Sequence, residues 1–410
     1  MAKYSIEDTT LTGIADAIRE KAKTTGVIAT SQMAESILAI KGGLSLDVVT
    51  ASALPDTVVD GQIVVITDTT PGTVYIDTDA PATPATGDLW IAVAAGGDAA
   101  LNLTEESPYL RAGITDAYQW TNSAWESLDG YIGTGSVWTQ FAMAIPPVGT
   151  ALNDMTWEQI SAISNKGLAT SYFKKGDAKE IVINGKIGAS QFANVHVWAF
   201  ILGCNHNNSI EGDNKIHICI GKTAKSGGAD ICLVSDKYWE ATAQAYFNMN
   251  TSQTTSGAWK GCYMRNTLLG NSGTPSAPPA NSLMAALPSD LLAVIKACTK
   301  YTDNTGGSGN TASKVTATED YIWFPSEFEI FGKTTRSNSA EQNYQKQYEY
   351  FSAGNSPTKY NHKAPTSKVA SWTRSVYAGN TTNFCTIDSS GAAGASGANY
   401  SIGICPCFCV

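Results

Sequence analysis

The chain is short of charge. Of its 410 residues only 15% are Asp, Glu, Lys or Arg, against roughly 25% in an average soluble protein. Positive charge is the scarcer kind: 27 Lys and Arg face 36 Asp and Glu, for a net charge of −9. An acidic balance excludes a long nucleic-acid groove, which needs a basic stripe. Histidine occurs four times. No G-x-S-x-G, H-E-x-x-H or phosphate-loop motif is present, so the common signatures of hydrolases, metalloproteases and nucleotide binders are missing. No apolar run approaches the roughly 18 residues that a membrane span needs. The start, Met1-Ala2-Lys3-Tyr4-Ser5, lacks the apolar stretch of a signal peptide, so synthesis in a cytoplasm is expected. No fixed-period repeat is visible.

What replaces the charge is Thr, Ser, Asn and Gly, around an ordinary hydrophobic content of 43%. Disorder of the whole chain is thereby excluded, and the expected surface is uncharged but rich in hydrogen-bonding groups. The nine cysteines are an odd number. In a reducing compartment they read as small buried apolar residues.

Three regions follow along the chain. In residues 1–43, Leu11, Ile14, Ala15, Ile18 and Ala22 share one helical face, and a second short helix carries Met33, Ile37 and Ile40. Two helices this short cannot bury much surface alone, so the segment is expected to pack on copies of itself or on another protein. Residues 44–145 are expected to form a small all-β module, with strands at 62–67, 73–77 and 88–93 between Pro and Gly turns. This module holds thirteen acids and one base, Arg111, so the acidity of the chain belongs to it. Pro146-Pro147 opens the third region, residues 146–410. There Thr156 and Gln159 form a T-x-x-Q capping box, and residues 179–184 a strand with Asn184-Gly185 as its hairpin turn. Residues 194–202 are a strand, Pro288 opens a helix through Cys298, and 321–325 and 402–410 are strands. Scattered strands with a few helices and long loops indicate an α+β fold.

Several constellations carry possible chemistry. Cys204-x-His206 and His217-x-Cys219 offer four soft ligands, but zinc pairs are usually spaced C-x₂₋₄-C. The better reading is core cysteines with His206 in a loop, so no metal and no cofactor is expected. His196 reads as a satisfied core group. Cys405, Cys407 and Cys409 alternate on a strand and share one face. Glu327 and Glu329, in the string FPSEFEIF at 324–331, would share a face if it is a strand; a structural role with Glu327 hydrogen-bonded to backbone is preferred over paired acids. Residues 333–374 carry seven bases against two acids, within a longer stretch rich in Tyr, Asn, Ser and Gly. Tyr and Asn supply rigid amphipathic rings and adaptable polar groups. The candidates for receptor contact are Tyr344, Tyr348, Tyr360, Asn361, Tyr377, Asn380, Asn383, Asn399 and Tyr400; the bland alternative is solvated loops whose tyrosines are partly core.

The strings Asp8-Thr9-Thr10-Leu11, residues 14–21 (IADAIREK) and 33–37 (MAESI) resemble the N-terminal helical segment of many phage tail and baseplate proteins. Residues from about 147 onward resemble a domain of unknown function common in phage and Firmicutes proteins, through 157–177, 203–207, 259–267, 287–300, 324–331, 370–375 (ASWTRS) and 404–410. The chain departs from that pattern at Thr373, Cys405 and Cys407. Such domains are similar to C-type-lectin-like and sulfatase-modifying-factor folds, and several serve as adhesins. The resemblance implies that Trp372 and Arg374 are structural. It also implies a virion protein, a tail fibre or receptor-binding adhesin assembled in the bacterial cytoplasm. On that reading residues 1–43 join other tail or baseplate proteins, a homotrimer is formed, and the acidic module is a spacer. The C-terminal lectin-like domain would bind a host surface glycan or protein without catalysis, with no nucleic acid and no membrane insertion. The alternatives are a tail enzyme that degrades surface polysaccharide, using Glu327 and Glu329, and a purely structural tail component.

Overall fold

The structure is a computed structural model of the 410-residue chain. It describes residues 48–51, 63–66, 74–77, 80, 82–86, 88–93, 114–120, 125–134, 137–142, 145–242 and 245–410. The helices expected in residues 1–43 lie outside the described residues. The chain divides into two compact units, 1–145 and 146–410, at the boundary that Pro146-Pro147 marks in the sequence. The mixture is α+β, and no described helix is long and apolar enough to cross a membrane.

Strands occupy the three expected places of the first unit: Ile63–Ile66, Val74–Asp77 and Leu89–Val93. Val48–Ala51, Ile63–Ile66, Asp129–Thr134 and Val137–Ala142 form one four-stranded sheet; Val74–Asp77, Leu89–Val93, Ile114–Trp120 and Trp125–Ser127 form another. In the second sheet the Trp90 and Tyr118 rings, opposite one another in register, stack at 4.9 Å, a cross-strand aromatic pair of the kind that stabilises sheets.

The second unit is built on a four-stranded antiparallel sheet. Its strands run in the order Cys407–Cys409, Ile216–Lys222, Ser190–Cys204 and Ala178–Ile187. The residues of 197–202 other than Trp198, and the run 216–221, are buried, as expected of strands covered on both faces. Each large apolar side chain buried here contributes roughly 1.5–3 kcal/mol. The helix Trp157–Asn165 starts at the expected capping box: Thr156 Oγ1 accepts from Gln159 N at 3.1 Å and Gln159 Oε1 accepts from Thr156 N at 3.0 Å. Trp157 then meets Phe408 of the last strand edge-on at 5.8 Å.

Several local expectations are corrected. The Asn184-Gly185 pair is not the turn: the strand runs on to Ile187, and Gly185 sits opposite Phe192. Gly188, at φ +59, turns the chain instead, and a side chain there would collide with the Ala245 carbonyl. Asn184 Oδ1 faces the backbone N of Asn194 (3.4 Å), where the register slips by a bulge. The helix after Pro288 spans only Ser289–Leu292, and Cys298 starts a strand, Cys298–Asp303. Residues 321–325 hold a single bridge, Trp323 to Cys407, and of 402–410 only Cys407–Cys409 is strand. FPSEFEIF is a helix over Glu327–Phe331. The signal was present as S-x-x-E: Ser326 and Glu329 form a reciprocal capping box, which outweighs alternation in so short a segment. His196 is exposed and pairs with Glu180 at 3.0 Å, so it is not a core group.

Candidate functional site

Two polar regions of the second unit compete for a functional reading. The first is sealed. Glu329, fixed by its capping bond to Ser326, takes both oxygens to the Arg374 guanidinium. Arg374 also donates to Thr302 Oγ1 at 2.8 Å and to the Phe324 carbonyl at 2.9 Å. Lys300 donates to Glu211 and, at 3.0 Å, to the Tyr348 hydroxyl, and lies 3.4 Å from Glu329 Oε1. Glu211, Lys300, Glu329, Tyr348 and Arg374 are all buried. Burial alone would raise the Glu329 carboxyl, but the adjacent Arg374 and Lys300 outweigh it and hold the group at about 2. Glu341 has no such partner. Burial lifts it to about 7, against the Asp303 N–H and Ser375 hydroxyl that donate to it.

This arrangement does not suit acid–base attack on a polymer. Glu327, 1% exposed, accepts from the backbone nitrogens of Arg336 (3.0 Å) and Ser337 (2.7 Å), and Glu329 is fully buried in a bidentate pair. Buried carboxylates must be paired in this way. Ligand-type atoms do converge among the described residues, as Glu211, His217 and Cys298, and as His206, Glu211 and Glu329. Neither set contains Cys204 or Cys219. The Lys300 ammonium bonds Glu211 and lies beside Glu329, so two carboxylates already meet two cations, Lys300 and Arg374. A metal would have to displace a buried lysine. His217 is held neutral: burial depresses its basicity, reinforced by Lys300 and His206.

The nine expected contact residues separate in space. Tyr348 is fully buried, its hydroxyl shared by Lys300, His217 and Trp323, so it cannot touch a receptor; this corrects the sequence reading. Its position between a capped glutamate and a core lysine is set by residues far away in the chain. Tyr344 is half-buried and stacked on Tyr301 at 4.5 Å. Tyr360 and Asn361 lie in the short strand Lys359–Asn361, where Tyr360 borders a surface hollow with Lys222, Asp230 and Tyr350. Trp372 and Arg374 are buried and structural.

The remaining five come together on a second, outward region. Tyr377 N donates to the Asn383 carbonyl at 3.0 Å, and Ala398 N to that of Thr382 at 2.8 Å. Asn380 Oδ1 accepts from the backbone nitrogens of Thr382 and Asn383, at 3.0 and 2.9 Å, an Asx-type brace that fixes the loop. Asn399 and Tyr400 continue the same edge, where Tyr400 pairs with Ala241. This pairing brings in a residue that the sequence reading missed, Trp239. It is 55% exposed, adopts a left-handed φ of +63, and donates its N–H to the Ser401 carbonyl at 2.6 Å. Its ring lies 6.2 Å from Tyr400 and 6.1 Å from Tyr238. The available signal was the aromatic pair in Lys237-Tyr238-Trp239-Glu240, an apolar step in a polar stretch. A non-glycine residue at positive φ costs of order 1–3 kcal/mol and persists where its surroundings hold it.

Residues 229–410 match a family described as a domain of unknown function (DUF6273). The matched segment contains Lys300, Glu329, Tyr348 and Arg374 of the sealed region, but not Glu211, and all of the outward one. No curated protein and no solved structure matches the chain.

Proposed function

We propose that the chain is a phage tail fibre or receptor-binding adhesin whose C-terminal unit is a non-catalytic, C-type-lectin-like domain. The receptor edge is Trp239, Tyr400 and Asn399 with the adjoining Tyr377, Asn380 and Asn383. The observation that supports this most is Trp239, a large ring held in solvent by a backbone hydrogen bond beside a second ring. Exposed aromatic faces stack on the apolar faces of sugars while neighbouring amides satisfy hydroxyls. Holding the rings in place before binding reduces the ordering cost. A host surface glycan is therefore the preferred receptor, with a surface protein as the alternative.

Residues 1–43 join the chain to other tail or baseplate proteins, and the acidic module separates that attachment from the receptor unit. A homotrimer presents three weak sites at once and gains avidity. The site needs no cofactor. The test is adsorption of the fluorescent full chain to a broad panel of host cells, with and without competing purified wall glycan. Saturable adsorption that the glycan competes away, and that Trp239→Ala weakens, supports the reading. Absence of adsorption across the panel favours a structural tail component. A single-chain mass in solution at micromolar concentration removes the trimer.

A further inference from the structure

Six of the nine cysteines gather around the last strand. Cys407 and Cys409 lie in it and Cys405 just before it, and each is adjacent to a thiol from elsewhere: Cys219, Cys298 and Cys232 respectively. The backbone register sorts the three pairs. Ile218 and Phe408 are register partners, Ile216 and Val410 exchange both N–H···O bonds at 3.0 and 3.2 Å, and Ile220 N donates to Pro406 at 2.8 Å. Cys219 and Cys407, directly opposite between these rungs, therefore occupy a non-hydrogen-bonded site of the antiparallel ladder. Leu233 and Ile404 exchange both bonds, each at 2.9 Å. That places Cys232 and Cys405, one step along, at another such site. Opposed α-carbons at these sites are about 4.5 Å apart, and disulfides span roughly 4.4–6.8 Å. Gly403 makes the room: a side chain there would collide with the Cys232 sulfur.

The third pair differs. Cys409 is opposite His217 on one side and Lys296 on the other, not Cys298. Its thiol donates to the Lys296 carbonyl at 3.3 Å, and that of Cys298 donates to Glu211 at 3.3 Å.

We propose that Cys219–Cys407 and Cys232–Cys405 are disulfide-forming pairs that lock the C-terminal segment to the strands Ile216–Lys222 and Ile231–Cys232 under oxidising conditions, while Cys298 and Cys409 stay reduced. Each bond joins the two sulfurs with loss of both thiol protons and two electrons. A low-molecular-weight disulfide such as oxidised glutathione takes the electrons through a mixed disulfide and departs as two thiols. One sulfur of the Cys232–Cys405 pair is prepared as the nucleophile. Burial opposes ionisation of Cys405, but the Cys232 thiol donating to it and the Lys359 charge pull it below the ordinary thiol range; Cys232 is pushed up. Both pairs are buried, so the oxidant enters through local opening of the strand. The inference does not depend on the adhesin reading.

The test is direct. The full chain, purified reduced, is incubated with oxidised glutathione in dilute urea and returned to buffer; one portion is melted, and another is alkylated in strong denaturant, because the thiols are buried, and digested without reductant. The expected result is one species of three peptides joined by two links, 219–407 and 232–405, five alkylated cysteines, and a melting temperature raised by roughly 5 °C that falls back on reduction. In Cys219→Ser only the 232–405 link should form. Nine alkylated cysteines, stable glutathione adducts at these positions, or a link between any other cysteines, Cys298–Cys409 included, would overturn it.

Discussion

The Glu329–Arg374 region and the Trp239–Tyr400 edge use the same kinds of side chain for opposite ends. In the first, Tyr348, Glu329, Arg374 and Lys300 spend their hydrogen-bonding capacity on one another, out of contact with water. In the second, Tyr400, Asn399 and Trp239 stand at a surface whose loop is braced by Asn380. Tyrosine and asparagine content therefore says little about which residues meet a partner. What distinguishes the regions is whether a charge partner is close enough to repay desolvation.

The contrast can be broken hardest at Arg374. Arg374→Met leaves two buried carboxylates, Glu329 and Glu211, sharing one cation, Lys300, and should cost about 3–5 kcal/mol, read as a lower urea midpoint. A stable Arg374→Met chain that loses adsorption would instead make this region the contact site. On the outer edge, Trp239→Ala should weaken adsorption at least tenfold, roughly 1.4–3 kcal/mol for a stacked aromatic anchor, and leave the urea midpoint unchanged. A loss of stability without loss of adsorption would remove Trp239 from the receptor edge.

Acid–base titration separates the regions next. Glu341 is lifted to about 7 by burial, above its ordinary value near 4.5. The unfolded chain therefore releases this proton first, so stability falls as pH rises from about 4.5 to 7, by roughly 3 kcal/mol at most. In Glu341→Gln that fall should disappear. Glu329, held at about 2, acts in the opposite sense: its contribution is present above about 4.5 and is lost as pH falls toward 2. Asn380→Ala should cost about 1 kcal/mol through the lost loop brace and weaken adsorption by a few-fold. His196→Ala, on an exposed ion pair with Glu180, should change stability by less than about 0.5 kcal/mol.

Much of the architecture was legible beforehand because its signals are short-range. The Thr156–Gln159 capping box, the strand starting near Ala178 and the break at Pro146 depend on residues within a few positions of one another. The Ser326–Glu329 box was equally local and was masked by an alternation that suits a strand. The role of Tyr348 had no local signal, since its partners Lys300 and His217 are 48 and 131 residues away.

The sequence by itself determined the break at Pro146, the confinement of its acidity to residues 44–145 and the α+β mixture. Only the tertiary structure decided which tyrosines are interior, that Trp239 belongs to the same edge as Tyr400, and which thiol each of Cys405, Cys407 and Cys409 meets. Periodicity and capping act over one or two turns of chain. Burial, charge pairing and strand register are set by segments up to about two hundred residues apart, which meet only when the chain folds.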